Sequence, residues 1–235
     1  LRVQLLARDW TERIALTLIV NIIGAGRRTG KTYLVQELLQ LLQTHGFRVS
    51  TIKHIAEGSF DTENKDTWLH LQAGAKQVTA LSSSELITIK RVAPPSLHEA
   101  LKTLSENNDM VLVEGFKTSK FPKILVARNF HEVDELLRKT HNVIAISGPI
   151  VQEHPQQSSY QSIPLLRPDA LVPLLIQQLH SQARALLPQL DCRRCGYDSC
   201  DQMAQAIMNR DATIAQCTAL SDQKVQLIVD GESVN

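Results

Sequence analysis

Apolar positions along the chain fall into blocks whose length and period change in a regular order. Residues 15–23 are apolar at all but Thr17 and Asn21, a run that suits a strand buried on both faces of a parallel sheet. From residue 31 the period lengthens. Leu34, Leu38, Leu41 and Leu42 share one face of a helix predicted over residues 31–45, and Gly46 is its expected stop. Residues 47–53 read as a second strand. Met110-Val111-Leu112-Val113 is a short buried strand, and residues 124–127 and 143–146 are two more. Helices fit best over residues 97–105 and 131–139. Strands alternating with helices predict an α/β fold with a doubly wound, mostly parallel sheet.

The pattern then breaks. Residues 152–164 are polar, hold Pro155 and Pro164, and read as a linker. A helix is predicted over residues 169–187, with Pro173 in its first turn and Pro188 ending it. The expected division is a P-loop nucleotide-binding domain at residues 14–150, a linker and helix at 151–187, and a small α-rich cysteine domain at 188–235.

Composition narrows the function classes. With 43% hydrophobic residues in 235, the chain has enough for a large core and a small one. A formal net charge of +1 gives no electrostatic case for wrapping nucleic acid. No apolar stretch reaches the roughly eighteen residues of a membrane span. The run at residues 14–23 is too short and lacks a small-residue cleavage site, so neither an anchor nor a signal peptide is expected. All four cysteines lie between positions 192 and 217. Secreted domains usually staple the whole fold, so this confinement reads as a metal or cluster site in the reducing cytoplasm.

Between the first strand and first helix stands Gly24-Ala25-Gly26-Arg27-Arg28-Thr29-Gly30-Lys31-Thr32. Glycines let backbone N–H groups turn inward around phosphate oxygens, and the helix start adds partial positive charge. The candidate nucleotide contacts are Gly26, Arg27, Arg28, Thr29, Gly30, Lys31 and Thr32. Lys31 would reach the β- and γ-phosphates, and the Thr32 hydroxyl would bind Mg²⁺. The first glycine of G-x-x-x-x-G-K-[ST] falls on Ala25, which leaves Gly24 and Gly26 to supply the flexibility.

The third strand ends in Glu114-Gly115-Phe116-Lys117, a carboxylate at the sheet edge where α/β proteins bind ligands. Glu114 can hold Mg²⁺ or orient an attacking water, so Glu114 and Lys31 are the candidate catalytic residues. Gly115 would let the backbone approach the γ-phosphate. The second strand ends in Lys53-His54, followed by Asp61 and Asp66. Either acid can complete a Mg²⁺ shell. His54 can contact phosphate or substrate, or be a hydrogen-bonded structural histidine.

Taken together, these stretches resemble the molybdopterin-guanine dinucleotide biosynthesis protein B (MobB) family over about residues 17–150. The matching residues are the P-loop, Ile52-Lys53-His54, Phe60-Asp61, Lys65-Asp66-Thr67, Ala73-Gly74-Ala75 and Val111-Leu112-Val113-Glu114-Gly115-Phe116-Lys117. Glu57 stands near the place of a second family histidine, and Asn64 replaces a glycine. The resemblance implies a weakly hydrolytic GTP-binding accessory protein, a homodimer, supporting a guanylyltransferase or molybdoenzyme assembly partner in molybdenum or tungsten cofactor synthesis. No Asn-Lys-x-Asp guanine motif is present, which keeps ATP as the alternative. Residues 145–149 are the expected place for base contact.

Cys192-x2-Cys195-x4-Cys200-x16-Cys217 offers four thiolates, a number that suits zinc or an iron-sulfur cluster equally. Structural zinc usually pairs two Cys-x2-Cys knuckles, whereas here the fourth ligand arrives after a helix. Met203, Ala206, Ile207 and Ile214 mark that helix's inner side. The segment resembles the small [4Fe-4S] domain of Rnf-type B subunits and corrinoid iron-sulfur proteins, including the alternating residues 225–229. Two function classes follow. One is a cofactor-assembly GTPase with a redox or docking cluster. The other is an ATP-driven electron donor.

Overall fold

The computed structural model describes residues 14–55, 61–92, 96–104 and 108–220 in full, and the backbone of residues 227–229 and 232–234. Glu57, Phe60 and Ser105 lie outside the described residues. The chain forms two compact units, Leu1–His54 with Ala100–Asn235, and Ile55–Glu99. In chain order the elements are β1 (Leu18–Gly24), α1 (Lys31–Thr44), β2 (Val49–Lys53), α2 (Asp66–Gln72), β3 (Gln77–Leu81), β4 (Leu86–Lys90) and α3 (Leu97–Lys102). Then come β5 (Met110–Glu114), β6 (Lys123–Val126), α4 (Phe130–Leu137), β7 (Val143–Ser147) and α5 (Pro149–Glu153). The short β8 (Ser159–Tyr160) and β9 (Ile163–Pro164) precede α6 (Pro168–Ala185) and α7 (Cys200–Asn209).

The first unit is built on one parallel sheet of order β2-β5-β1-β6-β7. The order explains the sequence pattern. β5, β1 and β6 are interior strands and read as nearly continuous apolar runs, interrupted by Asn21 in β1 and Lys123 at the start of β6, while β2 at one edge has only half-buried and exposed positions. Leu18, Val20 and Ile22 of β1 pack against Leu34, Leu38 and Leu42 of α1 and Leu171, Leu175 and Leu179 of α6. On the other face Ile23, Leu125 and Ile146 pack against Val133 and Leu136 of α4 and Ile150 of α5. Each fully buried leucine contributes about 1.5–3 kcal/mol, so both faces are strongly held.

The helix ends follow local chemistry. Gly46 has φ 80°, its N–H donates to Gln43 O (2.9 Å), and the Phe47 N–H donates to Leu42 O (3.1 Å). That is a Schellman stop, as the glycine predicts. α6 begins at Pro168, so Pro173 stands in the second turn on an exposed position, not in the first. Its missing N–H removes one helical hydrogen bond there. The polar stretch read as linker contains the β8–β9 hairpin, turned by Gln161 (φ 48°) and Ser162 (φ 64°). Two-residue strands leave too little alternation to be read from sequence.

The cysteine segment belongs to the first unit. α7 is capped by Ser199, whose Oγ accepts from the Gln202 N–H (3.1 Å). Met203 and Ala204 pack against Ala183 of α6 and Leu187. Arg210, after α7, pairs with the Asp109 carboxylate, which also accepts the Arg48 N–H at 2.7 Å. In the second unit, β3 and β4 form an antiparallel hairpin with Thr79 opposite Thr88. Its signal was the β-branched alternation on either side of Ser82-Ser83-Ser84-Glu85. No described helix is long and apolar enough to cross a membrane.

Candidate functional site

β1 ends at Gly24 and α1 starts at Lys31, so residues 25–30 form a loop at the carboxyl end of the sheet. A methyl group on Gly24 would lie 2.3 Å from Thr29 Oγ1 and 3.0 Å from Val126 O, whereas one on Gly26 would meet nothing within 4 Å. The glycine one position ahead of the usual motif therefore permits the close approach. Gly30 has φ 95°, a conformation that only glycine adopts readily. Thr29 is 1% exposed and cannot swing aside. Gly24→Ala is expected to cost about 1–3 kcal/mol through overpacking, read as a lower midpoint in denaturant unfolding.

Lys31 folds back over the loop. Its Nζ donates to Gly26 O (2.6 Å) and Thr29 Oγ1 (3.1 Å). Burial pushes the Lys31 pKa below its usual value; nearby Glu114 opposes that, and Lys117 and Lys53 reinforce it. An anion in the loop would relieve this repulsion. The Thr32 hydroxyl donates to the Glu114 carboxylate at 3.2 Å, and Lys53 Nζ reaches the same carboxylate at 3.4 Å. In register, Ile22 of β1 lies beside Glu114 of β5, which lies beside Lys53 of β2.

His54 and Gly115 form one contact. The His54 N–H donates to Glu114 O (2.9 Å), and its ring lies 4.4 Å from that of Phe116. A methyl on Gly115 (φ 107°) would stand 2.8 Å from His54 Cβ. The Gly115 N–H donates to Ile22 O (3.1 Å), so it points into the sheet. On the far side of the loop, a methyl built on Gly30 would touch Val126 Cγ1 (3.6 Å) and Pro149 Cδ (3.9 Å). The segment expected to contact the base thus borders the phosphate loop.

The structure brings Lys31, Thr32, Lys53, His54, Glu114 and Gly115 to one end of the sheet, with Arg27 and Arg28 exposed on the loop. Asp61 and Asp66 belong to the second unit. There Asp61 Oδ1 accepts from Thr67 Oγ1 (2.9 Å) and the Thr62 N–H (3.0 Å), and Asp66 opens α2. Sequence reasoning gave no role to Lys117, whose Nζ lies 3.4 Å from Ala25 O, or to Asn21, buried in β1. The available signal for Asn21 was an amide inside an apolar run.

All four cysteines line one small cavity, together with Pro188, Asp191, Arg193 and Tyr197. Cys200 and Cys217 are buried, Cys195 is half-buried and Cys192 is exposed. Left-handed residues turn the chain around it, namely Asp191 (φ 46°), Arg193 (φ 60°) and Gly196 (φ 89°). The Asp191 carboxylate accepts the Cys200 N–H at 2.7 Å and anchors the start of α7. Among the described residues, no group of three or more His, Cys, Asp or Glu side chains is arranged to hold a single metal ion.

A glycine-bearing phosphate loop at the carboxyl end of the central strand of a doubly wound parallel sheet defines a P-loop fold. The family model for molybdopterin guanine dinucleotide synthesis protein B matches residues 19–148, and the chain belongs to that family. A second model, described as "Putative Fe-S cluster", matches residues 187–219. The chain is similar to molybdopterin-guanine dinucleotide biosynthesis adapter proteins of Haemophilus influenzae and Escherichia coli. The first is 36% identical over 46% of this chain and 65% of its own length. The second is 32% identical over 52% of this chain and 73% of its own length. The crystal structure of Bacillus subtilis MobB superposes with a TM-score of 0.53 at 26% identity, covering 70% of this chain and 97% of that one. A MobB homologue from Bacillus stearothermophilus gives 0.50 at 21% identity, over 69% and 98%.

Proposed function

We propose that this chain is a GTP-binding adapter in the assembly of molybdopterin guanine dinucleotide, carrying a [4Fe-4S] module beside its nucleotide site. The observation that carries the reading is the Thr32–Glu114 contact beside the Lys31 ammonium. Thr32 and Glu114 would hold Mg²⁺ in a P-loop site, where it would neutralise charge on the phosphates. Gly26, Arg27, Arg28, Thr29, Gly30 and Lys31 surround the phosphates. Glu114 and Lys31 support slow hydrolysis. The adapter names of the relatives support a partner enzyme in molybdopterin-guanine dinucleotide synthesis; the proposal takes it to be a guanylyltransferase or molybdoenzyme assembly partner, met in the cytoplasm.

Cys192, Cys195, Cys200 and Cys217 would hold the cluster, which when bound supplies one-electron chemistry or a rigid docking element. The protein's own part is to bury two ligands and to place Arg193 on the cavity wall.

Calorimetric titration of anaerobic protein with Mg-GTP and Mg-ATP tests the nucleotide reading. A clear GTP preference with little turnover is expected. An ATP preference with rapid hydrolysis would replace it with the electron-donor reading.

The chain is further proposed to be a homodimer through the β3–β4 hairpin. Leu81 is 79% and Leu86 67% exposed, side by side at the hairpin end, and β3 and β4 pair only with each other among the described strands. Leu81→Glu with Leu86→Glu is expected to convert a dimer to a monomer in sedimentation, leaving the far-ultraviolet spectrum unchanged. A dimer that persists would exclude this surface.

A further inference from the structure

We infer that Lys117 is a further phosphate-binding residue, aimed at the terminal phosphate of a nucleoside triphosphate by a buried network of Asn21, Ser119 and Lys123. The inference rests on the P-loop reading above and adds a second cation from another element. Lys31, at the start of α1, donates to Gly26 O at 2.6 Å. Lys117, from the loop after β5, reaches Ala25 O at 3.4 Å. Two ammonium groups thus engage successive carbonyls of one phosphate loop. An anion in the loop draws both away, because each ammonium then meets an opposite charge in place of a carbonyl dipole.

The sheet order decides which phosphate Lys117 meets. β5 and β6 flank β1 on opposite sides. Thr32 faces Glu114 at the end of β5, and this pair would hold a metal beside the outer phosphates of a bound nucleotide. Gly30 faces Val126 of β6 and Pro149 on the other side. The terminal phosphate is therefore expected toward β5. Lys117 follows Glu114 by three residues, and its carbonyl accepts from Thr140 Oγ1 (3.0 Å), just ahead of β7, so the loop crosses the end of β1 and reaches the phosphate loop from there. A diphosphate is expected to end short of it.

The loop is held in a conformation it would not choose alone. Gly115 has φ 107° and Phe116 φ 52°, the latter unfavourable for a side chain of that size. Asn21, fully buried in β1, donates from Nδ2 to Gly115 O (2.8 Å) and Phe116 O (3.3 Å). Its Oδ1 accepts from Ser119 Oγ (2.7 Å). Lys123 lies beside Asn21 in register and is also fully buried. Its Nζ donates to Ser119 O and to Phe121 O (2.9 Å). Burying an ammonium and an amide in the sheet is costly where apolar residues would fill the row. What the network achieves is a fixed turn that brings Lys117 back over the phosphate loop. Lys117 is thus a binding residue, and Asn21, Ser119 and Lys123 are positioning residues.

The test compares Mg-bound tri- and diphosphates of the preferred base by calorimetry, for wild type, Lys117→Met, Lys117→Arg and Ser119→Ala. Lys117→Met is expected to lower the triphosphate-to-diphosphate affinity ratio at least about tenfold, the worth of one bond to a charged group. Lys117→Arg recovers most of that ratio. Ser119→Ala lowers it part of the way, a readout that a merely structural serine would not move. A wild-type chain that binds neither nucleotide would remove the P-loop reading and this inference together. Normal binding by the wild type, with a ratio unchanged in Lys117→Met, would overturn the role of Lys117 alone.

Discussion

Lys31→Ala is expected to weaken Mg-GTP binding at least about a hundredfold while the chain stays folded. Lys31 is half-buried, and its ammonium already sits over the phosphate loop on Gly26 O and Thr29 Oγ1. Its loss removes a bond to a charged group worth about 1.5–3 kcal/mol and the local charge as well. No second lysine stands on the first turn of α1 to replace it. The same residue sets a pH dependence. Burial and two neighbouring lysines lower the Lys31 pKa in the free protein, and a bound phosphate raises it. Affinity is therefore full below the free-state pKa and falls as pH rises through it, with a proton taken up on binding. Alkaline titrations in two buffers of different ionisation heat should show that uptake in the wild type and not in Lys31→Ala. Affinity that survives Lys31→Ala would place the phosphates elsewhere.

Cys200→Ser and Cys217→Ser are each expected to reduce iron and acid-labile sulfide to background and to speed proteolysis between residues 188 and 220. Both side chains are buried within a small apolar cluster with Ala183, Leu187 and Met203. A serine at either place loses a thiolate ligand and buries a hydroxyl, and ligand binding here is part of the folding free energy. Cys192 is exposed, so Cys192→Ser should disturb the segment least. Stoichiometric zinc without sulfide in the anaerobically purified wild type would overturn the cluster reading.

Much of the fold was legible because each main element obeys a local rule. The runs of β1, β5 and β6 are almost wholly apolar because those strands are interior, and Gly46 stops α1 because a left-handed residue was needed there. The phosphate loop was legible for a similar reason, since its function depends on backbone conformation that glycine permits. Less legible were elements whose pattern is short or one-sided. The β8–β9 hairpin has two-residue strands, and the β3–β4 hairpin presents apolar side chains to solvent. Pro173 reads as a first-turn residue, but Pro168 had already taken the first position.

The sequence by itself determined the class of fold, the phosphate loop, the acidic strand end and the four-thiol set. These are contiguous motifs whose chemistry depends on near neighbours. Only the tertiary structure decided that Gly24 makes the close approach, because the obstacle there includes the carbonyl of Val126, more than 100 residues away. It also directed the Gly115 N–H to Ile22, and set Lys117 over the loop through Asn21 and Lys123. Those facts depend on which strands lie side by side, and strand order is settled by the packing of distant segments on a shared core.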